Sequence, residues 1–176
     1  AMWLENVTRD VLAEGGFAAV EQEELHRLVR RYTERYVEQE LHNFQNRNAR
    51  FRYLFARLRT TAYAVIDQVA AELRCSDFVP MAFELSFGGK NGALPAVTIS
   101  EPDGELRVGG KVDRVDGWLH DGRLYLRVVD YKSGRKSFDL ANVRMGLDIQ
   151  MLLYLFTLQK EGARYFGQEI EPAGVL

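Results

Sequence analysis

The sequence holds one cysteine, three histidines and four prolines in 176 residues. A lone thiol, Cys75, excludes a disulfide within the chain and any metal centre built from several cysteines. His26, His42 and His120 stand at no metal-ligand spacing to one another and read as surface or structural residues. No apolar run approaches the roughly 20 residues that span a bilayer, so no membrane partner is expected. Neither sign of charge prevails: 23 Lys and Arg against 25 Asp and Glu leave a net −2. That balance excludes a uniformly basic nucleic-acid coat, although a local basic patch remains open. A Walker-type phosphate loop is missing as well, so ATP hydrolysis is not expected of these residues. The start lacks the basic region and apolar core of a secretion signal, which with the single thiol suits a cytoplasmic compartment. Ala1-Met2 and the apolar ending Val175-Leu176 are expected to mark a domain cut from a longer protein.

What is present reads as one domain with two textures. Residues 1–76 carry helical periodicity. Trp3, Leu4, Val7, Val11 and Leu12 form one stripe, stopped by Gly15-Gly16. A second helix is expected from Val20 to Leu41 and a third from Arg47 to Leu73. From residue 77 onward the pattern changes to strands: Phe78 to Phe87, Ala96 to Glu101, Leu106 to Leu119, and Arg123 to Lys132. A helix containing Leu147 to Lys160 follows. Helices, then antiparallel strands, then a helix returning to the sheet indicate an α+β or mixed α/β fold. Cys75, near a helix end, is expected to pack inside.

Asp121-Gly122 between two alternating apolar runs is a strong hairpin signal. If these two residues form the loop, His120 pairs with Arg123 and the ladder carries Asp113 directly opposite Asp130. Val115, Leu119, Leu124, Leu126 and Val128 share the face of the two acids, giving an apolar face with carboxylates at its far end. Arg114, Asp116, Trp118, Tyr125 and Arg127 take the other face, where Arg114 and Asp116 are expected to be structural. Directly opposed side chains have Cβ atoms about 4.5–5.5 Å apart, so two carboxylates there repel unless compensated. A hard divalent cation supplies that compensation. Lys132, two residues past Asp130, projects from the same face and can orient an attacking water or offset charge on a phosphate oxygen. Asp113, Asp130 and Lys132 thus form a constellation suited to phosphodiester hydrolysis.

Gly110-Lys111-Val112-Asp113-Arg114-Val115-Asp116, Val129-Asp130-Tyr131-Lys132-Ser133-Gly134, and then Gln150 and Tyr154 resemble the RecB-type branch of the PD-(D/E)XK nucleases. Within it, they are similar to the C-terminal nuclease domains of bacterial helicase–deoxyribonuclease B subunits. The likeness is strong from Phe78 onward and general in the helical first part. The resemblance implies a restriction-endonuclease-like central mixed sheet flanked by helices, with residues 77–176 as the catalytic core. It implies Mg²⁺, or Mn²⁺, held by Asp113, Asp130 and the Tyr131 carbonyl, with Lys132 catalytic. Glu84 matches an acidic position that completes the site in relatives and is a further candidate ligand, although no turn anchors its register. Gln150 and Tyr154, one helical turn apart, would position the site and the DNA strand. The implied role is that of a DNA exonuclease in double-strand-break repair and recombination, acting on single-stranded DNA beside a helicase–nuclease partner subunit. The iron–sulfur cluster of full-length relatives needs four cysteines and is not possible here. Two other readings stay open: a nuclease-fold DNA-binding module without activity in isolation, and a stand-alone exonuclease of the same superfamily.

Asn46 to Thr60 contains Arg47, Arg50, Arg52, Arg57 and Arg59 and no acid. These arginines are candidate DNA-phosphate contacts, and an ordinary solvated helix face is the equal alternative. The preceding helix offsets its arginines with Glu21, Glu23, Glu24, Glu34, Glu38 and Glu40, as surface pairing does.

Overall fold

The computed structural model describes residues 2–40, 49–89, 92–102, 104–131 and 149–176. They divide into two compact units, residues 1–77 and 78–176.

The first unit is helical: α1 (Met2–Ala13), α2 (Gln22–Glu40) and α3 (Ala49–Arg74). Leu4, Val7 and Val11 of α1, Leu25, Leu28 and Val29 of α2, and Ile66, Val69 and Leu73 of α3 make one buried cluster. Their spacing is the sequence's own helical stripe, so the helices pack where the pattern is apolar. The first helix ends where expected, because Gly15 and Gly16 adopt φ of 100° and 91° and Gly16 N–H caps the Val11 carbonyl at 2.8 Å. Arg74 in the last turn of α3 ties the α1–α2 loop down by donating to the carbonyls of Phe17 (2.9 Å) and Val20 (2.6 Å). His26 stacks on Tyr63 and pairs with Asp67 at 2.8 Å, a structural role. Cys75 is exposed, contrary to the packed position expected, because it lies just beyond the helix end in a turn.

The second unit is built on a four-stranded sheet of β1 (Val79–Phe87), β4 (Gly110–His120), β5 (Arg123–Val129) and β6 (Ile170–Val175), in that order. A separate hairpin pairs β2 (Val97–Glu101) with β3 (Gly104–Val108). Helix α4 (Gln150–Glu161) and the short α5 (Ala163–Phe166) connect back to β6. Three details differ from the sequence expectation. The run Leu106 to Leu119 is two strands broken at Gly109, because β3 pairs only with β2 and β4 only in the main sheet. A last strand, unforeseen in the chain's end, runs parallel to β5 and makes the sheet mixed, as the resemblance implies. Leu119 is 60% exposed at the hairpin tip, beyond the reach of the core.

The hairpin itself follows the turn chemistry. Asp121 and Gly122 take φ of 49° and 77°, both left-handed, as a type I′ turn demands. The ladder runs from His120↔Arg123 to Arg114↔Val129 in the register that this turn implies. Leu124, Leu126 and Val128 are buried against Tyr154, Leu155 and Leu158 of α4 and Ile170 of β6.

The opposite face of the hairpin is buried too. Arg114 and Asp116 are both 0% exposed. Arg114 grips Asp116 in a fork, Nε to Oδ1 at 2.7 Å and Nη2 to Oδ2 at 2.9 Å. Arg127, the cross-strand partner of Asp116, donates to the same Oδ2 at 2.9 Å and lies over the Phe78 ring. One carboxylate therefore binds two guanidiniums away from water. Replacing Asp116 with Ala strips both guanidiniums of that carboxylate, and removing one partner of a buried pair costs about 3–5 kcal/mol. Urea unfolding of Asp116→Ala is expected to show a loss of that order, whereas Glu105→Ala on the exposed β3 changes stability by under about 0.5 kcal/mol.

Candidate active site

The two aspartates stand one step beyond the hairpin ladder. Asp113 precedes the Arg114↔Val129 pair on β4, and Asp130 follows it on β5. Where the backbone pairing stops, side chain and sheet edge take over. Tyr131 N–H donates to Asp113 Oδ2 at 2.8 Å. Asp130 N–H donates to the Leu176 carbonyl at 3.0 Å, and Leu176 N–H donates to the Val128 carbonyl at 2.9 Å. Asp130 is thus fixed from the β6 side and the Asp113 carboxylate from the β5 side. Both residues are half-buried, and Asp130 Oδ2 is out of contact with solvent.

Glu84 acquires the register that the sequence left open. Phe83↔Arg114 and Leu85↔Val112 bracket it, so it falls opposite Asp113 on the other side of β4. Glu84 and Asp113 therefore lie side by side on β1 and β4, and Asp130 extends that row just past the end of β5. Glu84 has φ of 51°, a left-handed conformation inside a strand. For a residue with a side chain this costs about 1–2 kcal/mol, and such strain concentrates at functional positions. Its carboxylate is ion-paired with Lys111. Lys111 lies two residues before Asp113, so strand alternation could have found it; the sequence reading passed over it.

Behind the acids, Tyr131 links the two faces. Its backbone holds Asp113, while its hydroxyl accepts from Nη1 of the buried Arg114, whose guanidinium sits 5.6 Å from the ring centre. The buried network of Arg114, Asp116 and Arg127 therefore fixes the residue that follows Asp130.

Gln150 and Tyr154 are brought together on α4. Gln150 Nε2 donates to Tyr154 Oη at 2.6 Å. The Tyr154 ring is buried, stacked on Phe87 at 4.5 Å between centroids, and its hydroxyl donates to the Gly109 carbonyl at 3.4 Å. This seats α4 on the start of β4. Lys132, Ser133, Gly134, Arg47 and His42 lie outside the described residues. Arg50, Arg52 and Arg57 are exposed on α3 in the helical unit, and Arg59 sits 3.9 Å from Glu34.

A model of the PD-(D/E)XK nuclease superfamily matches residues 3–176. The chain belongs to that superfamily. Its fold, a mixed sheet with flanking helices, agrees. Among similar proteins are three bacterial ATP-dependent helicase/deoxyribonuclease subunits B. That of Exiguobacterium sibiricum is 39% identical over 72% of the chain, that of Oceanobacillus iheyensis 35% over 77%, and that of Lysinibacillus sphaericus 34% over 88%. These matches span only 11%, 12% and 13% of the respective relatives, so the chain corresponds to about a tenth of such a subunit.

Within a PD-(D/E)XK nuclease the row of acids has the donor chemistry for a divalent cation. Carboxylate oxygens are hard ligands suited to Mg²⁺ or Mn²⁺. No set of three His, Cys, Asp or Glu side chains among the described residues is already gathered about one point.

The close approach of α4 to β4 gives a test. A Cβ at Gly110 would lie 1.6 Å from Tyr154 Oη and 2.8 Å from Cζ. Gly110→Ala is expected to lower the thermal midpoint sharply. Tyr154→Phe in the same chain recovers part of the loss, because the nearest clashing atom is gone. Full additivity of the two substitutions would show that the ring does not press on Gly110.

Proposed function

We propose that this domain is a metal-dependent deoxyribonuclease that hydrolyses phosphodiester bonds as the nuclease part of a helicase–nuclease subunit. The observation that carries the reading is the row of Glu84 on β1, Asp113 on β4 and Asp130 just past β5, in a chain of this superfamily. Asp113 and Asp130, with the Tyr131 carbonyl and Glu84, would hold Mg²⁺ or Mn²⁺, which when bound supplies Lewis-acid stabilisation of the charge that develops on phosphate. The protein's own part is to fix these oxygens. Tyr131 N–H holds one oxygen of Asp113, and Leu176 sets the backbone at Asp130. Lys132, by resemblance, orients the attacking water and offsets phosphate charge. Gln150 would contact the strand, and the buried Tyr154 would hold Gln150 in place.

The names of the relatives support DNA as substrate and a helicase as neighbour in the longer protein. Exonucleolytic action on single-stranded DNA, a role in double-strand-break repair and recombination, a partner subunit and a cytoplasmic site of action are part of the proposal. No helix among the described residues is long and apolar enough to cross a membrane.

The test is cleavage of a labelled single strand by the 176-residue chain in Mg²⁺ or Mn²⁺. Asp113→Ala and Asp130→Ala are each expected to lower the rate at least about a hundred-fold, the scale of losing a transition-state stabiliser, with the fold retained by circular dichroism. Cleavage that survives both substitutions would exclude this site.

A further inference from the structure

We propose that the exposed stripe Arg50–Tyr53–Arg57 on α3 binds single-stranded nucleic acid, with Tyr53 stacked on a base and the two guanidiniums on flanking phosphates. The inference rests on the nuclease reading for the presence of a strand, and adds a second contact site on a different part of the chain.

The first half of α3 has no core duty. Buried residues begin at Ala62, so residues 49–61, roughly three and a half turns, contribute none. At helical spacing Arg50, Tyr53, Leu54, Arg57 and Thr61 share one side, since they lie three or four residues apart. Phe51 and Phe55 lie on the other side and are half-buried. Tyr53 is 62% exposed, Leu54 45% and Leu58 66%. Among the described residues, Tyr53, Leu54 and Leu58 are exposed and join neither buried cluster.

The charges point the same way. Residues 49–66 include Arg50, Arg52, Arg57 and Arg59 and no acid. Elsewhere in this unit three arginines are matched by acids, Arg9 with Glu5, Arg27 with Glu24 and Arg31 with Asp10, while Arg30 meets the Tyr63 hydroxyl and Arg35 the Tyr32 ring. Arg59 turns toward Glu34 and is not part of the stripe. Arg50 and Arg57 have no ion pair among the described residues, and Arg57 lies over the Tyr53 ring at 6.0 Å from its centre. Cations alternating with an exposed aromatic ring are what a single strand requires, because its bases are free to stack while its phosphates repeat alongside. A duplex keeps its bases stacked inward and gains only the phosphate contacts.

The experiment is fluorescence anisotropy with the whole chain in EDTA, using oligothymidylate, an abasic oligomer of equal length and a duplex. Tyr53→Ala is expected to weaken oligothymidylate binding about ten-fold and to leave abasic and duplex binding unchanged; Tyr53→Phe retains the affinity. Arg50→Ala with Arg57→Ala is expected to lower the slope of log affinity against log salt by about 1.4, near 0.7 per phosphate contact on a single strand. All of these residues are exposed, so thermal midpoints stay where they are. Unchanged oligothymidylate affinity in Tyr53→Ala, as expected if the stripe is covered by the rest of a longer protein, overturns the proposal. So does an unaltered chain that binds no oligothymidylate. Loss of cleavage in Asp130→Ala with normal strand binding would leave both readings standing; cleavage unaffected by Asp130→Ala would sink the nuclease site alone.

Discussion

The left-handed pair Asp121–Gly122 sets the geometry of everything at the other end of its hairpin. A two-residue turn admits one register, and that register carries Asp113 and Asp130 to matching positions just past the last ladder pair. A slip by one residue would reverse every side chain between the two faces. Leu124, Leu126 and Val128 would leave the core under α4, and Arg127 would lose Asp116. Both faces therefore defend the same register, one by apolar burial and the other by a buried ionic network.

Gathering acids in one row is costly, and the structure shows what offsets it. Like charges on adjacent strands destabilise the pairing. Tyr131 N–H donates to Asp113, and Lys111 pairs with Glu84. Behind them, the fully buried Arg114 binds both the buried Asp116 and the Tyr131 hydroxyl. Tyr131 thereby connects the acid-bearing edge to the most deeply buried charges in the unit. The strained backbone at Glu84 is explained on the same terms: a residue held in an unfavourable conformation by its neighbours rather than by its own preference.

Local chemistry was legible in the sequence; contributions from distant segments were not. The Asp-Gly turn, the alternation beside it and the stop at Gly15-Gly16 are short-range signals, and the structure follows them. Gly109-Gly110 interrupts the alternation of Leu106 to Leu119, yet it was passed over as a break because the change of partner strand that divides the run is a long-range effect. The parallel strand β6 was missed because Ile170–Val175 includes proline and glycine, and its pairing with β5 crosses more than forty residues. Glu84 had no turn to set its register; pairing with β4 set it. Arg114 and Asp116 read as structural from their face of the hairpin, but the full burial of their charges becomes visible only when both faces of the sheet are covered.

The central claim is that Asp113 and Asp130 serve one cation site rather than two unrelated surface positions. Mn²⁺ binding followed by electron paramagnetic resonance tests it without recourse to cleavage. The account predicts bound Mn²⁺ in the unaltered chain, and loss of the same population in Asp113→Asn and in Asp130→Asn alike. A bound population that persists in both variants would contradict it.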